Sequence, residues 1–222
     1  MSEWCPFAIR RDGHPSDKHG GYASYSEPHQ KRGLVAHSMA GSLPAALGEL
    51  DNAARRASWT FSNPKSGPLL QHYPLGSNTW ASGSAEANSR YTSVEHEGGG
   101  PGNEGEPLTE NQIDNLVKLI RWLSEQDGWT PIRPGSSSDT SATLWEHKEM
   151  IRFGSAPTAC PSGRIPWAEV LRRLEVDVTI EEVNKLKAQA RTAAFFAGLA
   201  VKANKDEAPT EAEKAALRFF GA

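Results

Sequence analysis

Two histidines and a cysteine in this chain form a set able to bind a transition metal. His37 closes the apolar run "GLVAHS", His147 lies at the end of the strand-like part of "SATLWEHKEM", and Cys160 follows thirteen residues later on the Pro/Gly turn of "TACPSGRIPW". If the two strands are neighbours, the three side chains converge at one edge of a sheet. Two imidazoles and a thiolate suit tetrahedral zinc with the fourth position left open, the pattern of a catalytic rather than a structural site. No local signature of the HExxH kind accompanies them, so a sheet-edge histidine and a buried free thiol remain open readings. Cys160 could also act as a nucleophile, which needs a histidine base and an electropositive setting. In the strand "YTSVEHEGG", Ser93, Glu95 and Glu97 share one face while Val94 and His96 share the other. Two carboxylates placed this way fit either a general base or a solvated edge.

The elements that must position these groups are legible from periodicity. Residues 1–32 read as an irregular N-terminal arm. The strand ending at His37 leads to Ser42, a helix cap with Pro44 in the first turn, and then Leu43, Leu47, Leu50 and Ala54 at helical spacing. "ASWTFSNPKSGPLLQHYPL" reads as two strands joined by a turn over 63–67. "PLTENQIDNLVKLIRWLSEQDG" is the clearest helix. Thr109 and Gln112 form its capping box, Ile113, Leu116, Ile120 and Leu123 its buried stripe, and Gly128 its stop. The order β-α-β-β-β-α-β predicts an α/β domain over 33–174, a mixed central sheet with helices packed on its faces. Beyond it, capping boxes at Thr179/Glu182 and Thr210/Glu213 predict a C-terminal helical hairpin over 175–222. These helices are too short for a core of their own, so they pack on the main domain, form a homo-oligomer contact or anchor to a surface. "GGGPGNEGEP" is either a flap over the site or a long surface loop.

Composition narrows the function. In 222 residues, 37% are hydrophobic, seven are tryptophan, and the net charge is −3. Nothing here draws the chain to nucleic acid, and no run is long enough to insert into a membrane. Two cysteines are too few for a disulfide scaffold, although a Cys5–Cys160 bridge remains open. The opening "MSEWCPFAIRRDG" lacks the order of a signal peptide, which leads us to expect cytoplasmic synthesis.

Five segments, in order, carry a resemblance. "GLVAHSMAG", "ASWTFSNPKSGPLLQHYPLGSNTWASGSAEAN", "YTSVEHEGG", "PLTENQIDNLVKLI" and "LWEHKEM…TACPSGRIPW" resemble the zinc-dependent N-acetylmuramoyl-L-alanine amidases of the peptidoglycan-recognition-protein type, which include phage endolysins. The resemblance implies Zn²⁺ held by His37, His147 and Cys160, with Glu95 as the base acting on a zinc-activated water and Glu97 as the fallback. It places Thr158 at the oxyanion, where many members carry lysine, and puts Trp59, Trp80 and Asn88 among substrate-binding residues. Tyr91 could line the same groove. Trp59 stands where tyrosine or histidine is common, Ala81 where histidine is frequent, and "CPSG" has one residue more than usual. The implied activity is hydrolysis of the amide between N-acetylmuramic acid and L-alanine of peptidoglycan, by a bacteriolytic, antimicrobial endolysin that reaches the cell wall after holin-dependent release. A muropeptide-recycling amidase in the cytoplasm and a non-catalytic peptidoglycan-binding module of the same fold are the alternatives. Retention of Cys160 argues against the binding module.

Overall fold

The computed structural model describes residues 4–14, 30–136, 139, 141–175 and the single positions 192, 195, 208, 210, 213 and 214. The chain divides into two compact units, Met1–Leu174 and Glu175–Ala222. The first contains strands β1 (Ile9–Arg10), β2 (Leu34–Ser38), β3 (Phe61–Asn63), β4 (Leu70–Gln71), β5 (Thr92–His96) and β6 (Leu144–Glu146). Its helices are α1 (Leu43–Asp51), α2 (Ala85–Arg90) and α3 (Glu110–Asp127), with a 3-10 helix over His147–Phe153. A further helix starts at 167 and is described to 175. This is the expected mixed sheet with helices on its faces.

The strands lie in the order β1-β4-β3-β5-β2-β6. Only the β3–β4 hairpin is antiparallel, and all other neighbours run parallel. Parallel central strands are buried on both faces, which is why β2 reads as continuous apolar residues up to its histidine. Leu34, Ala36, Phe61, Val94 and Leu144 form one face and pack under Ile113, Leu116, Ile120 and Leu123 of α3. Val35 and Trp145 lie in a second cluster with Ala87, Tyr91 and Met150.

α3 forms where its sequence signals place it. Thr109 accepts from the Gln112 amide, Gln112 reaches back to the Thr109 N–H, and Gly128 ends the helix. The Gln112 side chain also donates to the carbonyls of Asn63 and Glu97, tying the first turn to the ends of β3 and β5. α1 differs from expectation. Ser42 occupies the cap position but makes no side-chain cap bond. The Leu43 amide is accepted by Glu97 instead, a carboxylate well suited to a helix N-terminus. Ala54 lies beyond the helix and is exposed.

One other expectation is corrected, and one element is added. Part of the supposedly irregular arm adds β1 to the sheet edge, with Ile9 opposite Leu70, and the nearby Cys5 joins the core. α2 has no counterpart among the expected elements; it is capped by Ser84, which accepts from the Ala87 amide. Both cysteines are free. In the second unit, Thr210 and Glu213 make their reciprocal capping bonds, whereas Thr179 and Glu182 lie outside the described residues, as does most of the proposed oligomer surface. No helix among the described residues is long and apolar enough to cross a membrane.

A buried polar chain makes the fold sensitive to acid. Trp59 Nε1 donates to Ser62 Oγ (2.8 Å), Ser62 Oγ contacts His72 Nε2 (2.8 Å), and His72 Nδ1 contacts the Arg11 carbonyl (2.7 Å). With Nδ1–H donating to that carbonyl, a neutral His72 leaves Nε2 to accept from the Ser62 hydroxyl. Burial accordingly lowers its pKa from 6.5 to about 4. The unfolded state therefore takes up the proton first, so His72's contribution is full above pH 6.5 and is lost as pH falls to about 4. Chemical denaturation across this window should show His72→Gln with a pH slope shallower than wild type by about 1.4 kcal/mol per unit. An unchanged slope would contradict the neutral-histidine assignment.

Candidate metal centre

The parallel register brings the chemistry-bearing residues to one end of the sheet. His37 pairs with Glu95 across β2 and β5, and Ala36 pairs with Glu146 across β2 and β6. The next residue after Glu146 is His147, the first of the 3-10 helix. The two imidazoles stand with ring centroids 4.5 Å apart, and Glu95 Oε1 lies 3.8 Å from His37 Nδ1. Cys160 enters from the loop beyond the 3-10 helix. Donor atoms of His37, His147 and Cys160 all lie within 4.8 Å of one another.

Hydrogen bonds fix two of the donors, Cys160 and His147, from behind. Ser38, next to His37, points its N–H at Cys160 Sγ (3.2 Å). The Cys160 carbonyl accepts from Lys148 N (2.8 Å), locking the loop to the start of the 3-10 helix. His147 hydrogen-bonds the backbone of Ser82. Ser82 is held in turn by Ser155, which donates to its carbonyl, and by Asn88 Oδ1, which accepts from its N–H.

Burial sets the electrostatics. His37 is 1% exposed, and burial, then His147 and His96, hold its pKa well below the usual value, so it is neutral. His147 is also lowered by burial. Burial pushes Glu95 up to about 8 against the opposing pull of Arg164. Burial and then Glu95 push the Cys160 thiol up to about 12, against the Ser38 N–H and Arg164. Two polar atoms here, His37 Nε2 and Glu95 Oε2, are buried without a hydrogen-bond partner. Each such orphan costs about 1–3 kcal/mol. Neutral imidazole lone pairs beside a sulfur and a carboxyl reluctant to ionise are a donor set that a divalent cation would satisfy. The residues present therefore fit zinc by donor type, number and orphaned valence.

The remaining expected site residues fall differently. Thr158 is half-buried, and its Oγ1 accepts from Cys160 N (3.2 Å). Both Glu97 oxygens are taken by backbone amides, Oε1 by Leu43 and Oε2 by Lys65, so Glu97 is a structural carboxylate rather than a second base. Trp59 is corrected from substrate contact to core: it is buried with Leu50 and Tyr73, and its indole N–H is used by Ser62. Asn88 is likewise buried and holds Ser82. Tyr91 sits in the core against Trp145 and Phe153. Trp80 alone of the three expected substrate contacts is half-buried. Sequence reasoning missed Ser38 and Arg164, although the first adjoins His37 and the second lies in the Cys160 loop.

Solved structures share this fold. The endolysin N-acetylmuramoyl-L-alanine amidase LysCS from Clostridium intestinale URNW is 18% identical, with a TM-score of 0.55 over 78% of this chain and 98% of its own. The Staphylococcus aureus hydrolase AmiA, solved with its ligand, is 15% identical, with a TM-score of 0.54 over 70% of this chain and 72% of its own. AmpD, as a selenomethionine derivative, is 16% identical, with a TM-score of 0.55 over 78% and 97%. No curated protein matches the chain significantly. A sequence model of N-acetylmuramoyl-L-alanine amidases, Amidase_2, matches residues 27–163. That span exceeds half of the chain and contains His37, Glu95, His147 and Cys160; the protein belongs to the N-acetylmuramoyl-L-alanine amidase family.

Proposed function

We propose that this protein is a zinc-dependent amidase that cleaves the bond between N-acetylmuramic acid and L-alanine in peptidoglycan, acting as a phage or prophage endolysin. The observation that carries the reading is the convergence of His37, His147 and Cys160 within 4.8 Å, beside a largely buried Glu95. When bound, zinc supplies Lewis-acid polarisation of the scissile carbonyl and makes water more acidic. His37 and His147 hold it as neutral imidazoles, and Cys160 as a thiolate aligned by the Ser38 N–H.

Glu95 is the base. Its carboxylate takes a proton from water as the water oxygen bonds to the lactyl carbonyl carbon. It then gives that proton to the alanine nitrogen as the C–N bond breaks. Charge developing on the carbonyl oxygen needs a donor, and the Thr158 hydroxyl, which accepts from Cys160 N, keeps its own hydrogen for that purpose. A papain-like role for Cys160 would need surroundings that lower its pKa, and its surroundings raise it.

Four variants and two substrates test these roles, read out as zinc per chain and new amino termini. Wild type should carry one zinc and release termini from insoluble sacculi, with release from soluble muropeptides only pointing to a recycling enzyme instead. Glu95→Gln should keep its zinc and lose activity by roughly 10²- to 10⁴-fold. Cys160→Ser should lose zinc. Wall binding without release, or inactivation by a thiol alkylator but not by a chelator, would refute the zinc amidase. Thr158→Val should keep zinc and lose about 10²-fold in kcat, with Thr158→Ser close to wild type. Equal kcat in Thr158→Val would remove Thr158 from the oxyanion.

A further inference from the structure

Arg164 lies four residues after Cys160 and one beyond the family match, and its side chain is 2% exposed. Burying a guanidinium is costly unless its donors are satisfied. Four of the five N–H groups that arginine carries find acceptors here. Nε donates to the Glu106 carbonyl (2.6 Å), Nη1 to Ser38 Oγ (2.7 Å) and the His96 carbonyl (3.2 Å), and Nη2 to the Glu97 carbonyl (2.7 Å). These acceptors belong to the end of β2, the end of β5 and the loop that follows β5. One side chain thus ties the Cys160 loop to the two strands that carry His37 and Glu95.

Ser38 is the link to the donor set. Its hydroxyl accepts from Arg164 and donates to the Gly98 carbonyl (3.1 Å), while its backbone N–H points at Cys160 Sγ. The glycines above the guanidinium leave it room. A Cβ on Gly98 would fall 2.4 Å from Glu106 Oε2 and 2.6 Å from Arg164 Nη2. One on Gly99 would fall 2.5 Å from Ser38 Oγ and 2.9 Å from Arg164 Cδ. The first glycines of "GGGPGNEGEP" therefore serve the packing of Arg164, and the segment is pinned over it by Gly99 N donating to Glu106 Oε2.

We propose that Arg164 is a positioning residue for the metal centre: its planar fork fixes Ser38, so that the Ser38 N–H aims the Cys160 sulfur at His37 and His147. The inference rests on the zinc reading above. Partners that orient a ligand from outside the coordination shell typically change metal affinity by 10- to 100-fold when removed. Lysine keeps the charge but not the fork, so it does not replace arginine here.

The test measures zinc affinity by chelator competition, and the sulfur-to-metal absorption band of the cobalt-substituted protein, in wild type, Arg164→Lys, Arg164→Gln and Ser38→Ala. Both Arg164 variants should bind zinc roughly 10- to 100-fold more weakly and shift the band. Ser38→Ala, which removes one hydroxyl and disturbs the fold least, should shift the band in the same direction, and it decides the matter if the Arg164 variants fail to fold. A merely structural Arg164 would lower the unfolding temperature of the metal-free protein and leave affinity and band alone. That result, or wild-type affinity in Arg164→Lys, overturns the proposal. Absence of zinc from wild type overturns the zinc reading and this inference with it.

Discussion

The site depends on the parallel register of β2 with β5 and β6. His37 opposite Glu95, and Ala36 opposite Glu146, set two strand ends level and deliver His147 one residue later. Side chains alternate across a sheet, so a slip of one residue would turn His37 or Glu95 into the α3 face. The apolar residues prevent that slip. Leu34, Ala36, Val94 and Leu144 have to lie under α3, and their fit there fixes which way the intervening histidine and glutamate point. The core and the chemistry are specified by the same alternation.

The sheet supplies only half of the centre. Cys160 and Thr158 come from a loop with no strand to hold them, and its position is set by hydrogen bonds to Lys148 N, Ser38 N and the carbonyls that Arg164 reaches. Burial then acts in two directions. It keeps the imidazoles neutral, as metal ligands must be, and it holds the thiol and the Glu95 carboxyl protonated in the absence of a cation. A divalent charge reverses the second effect without disturbing the first.

Much of this was legible in the sequence, because strong local signals agree with the tertiary outcome. The Thr109/Gln112 box, the stripe of α3 and the apolar run ending at His37 each specify their own structure. Glu97 shows where local reasoning ends. Strict alternation puts it on the face of Glu95, but β5 stops at His96, and the freed carboxylate turns to the amides of Leu43 and Lys65. β1 is two residues long and α2 six, too short for a period to declare itself. Trp59 read as a groove residue because an aromatic side chain suits core and ligand equally; the links from Ser62 to His72 and from His72 to Arg11, which continue its hydrogen-bond chain, join residues 10 and 61 apart. Arg164 escaped for a similar reason, since its partners lie 58 to 126 residues away.

The central claim is that two imidazoles and one thiolate from these three residues hold a zinc ion. X-ray absorption at the zinc edge of the loaded protein tests it directly. The account predicts a single sulfur at about 2.3 Å together with nitrogen and oxygen neighbours near 2.0–2.1 Å, and loss of the sulfur shell in Cys160→Ser. A zinc shell containing only nitrogen and oxygen in the wild type, or a sulfur that survives Cys160→Ser, would contradict it.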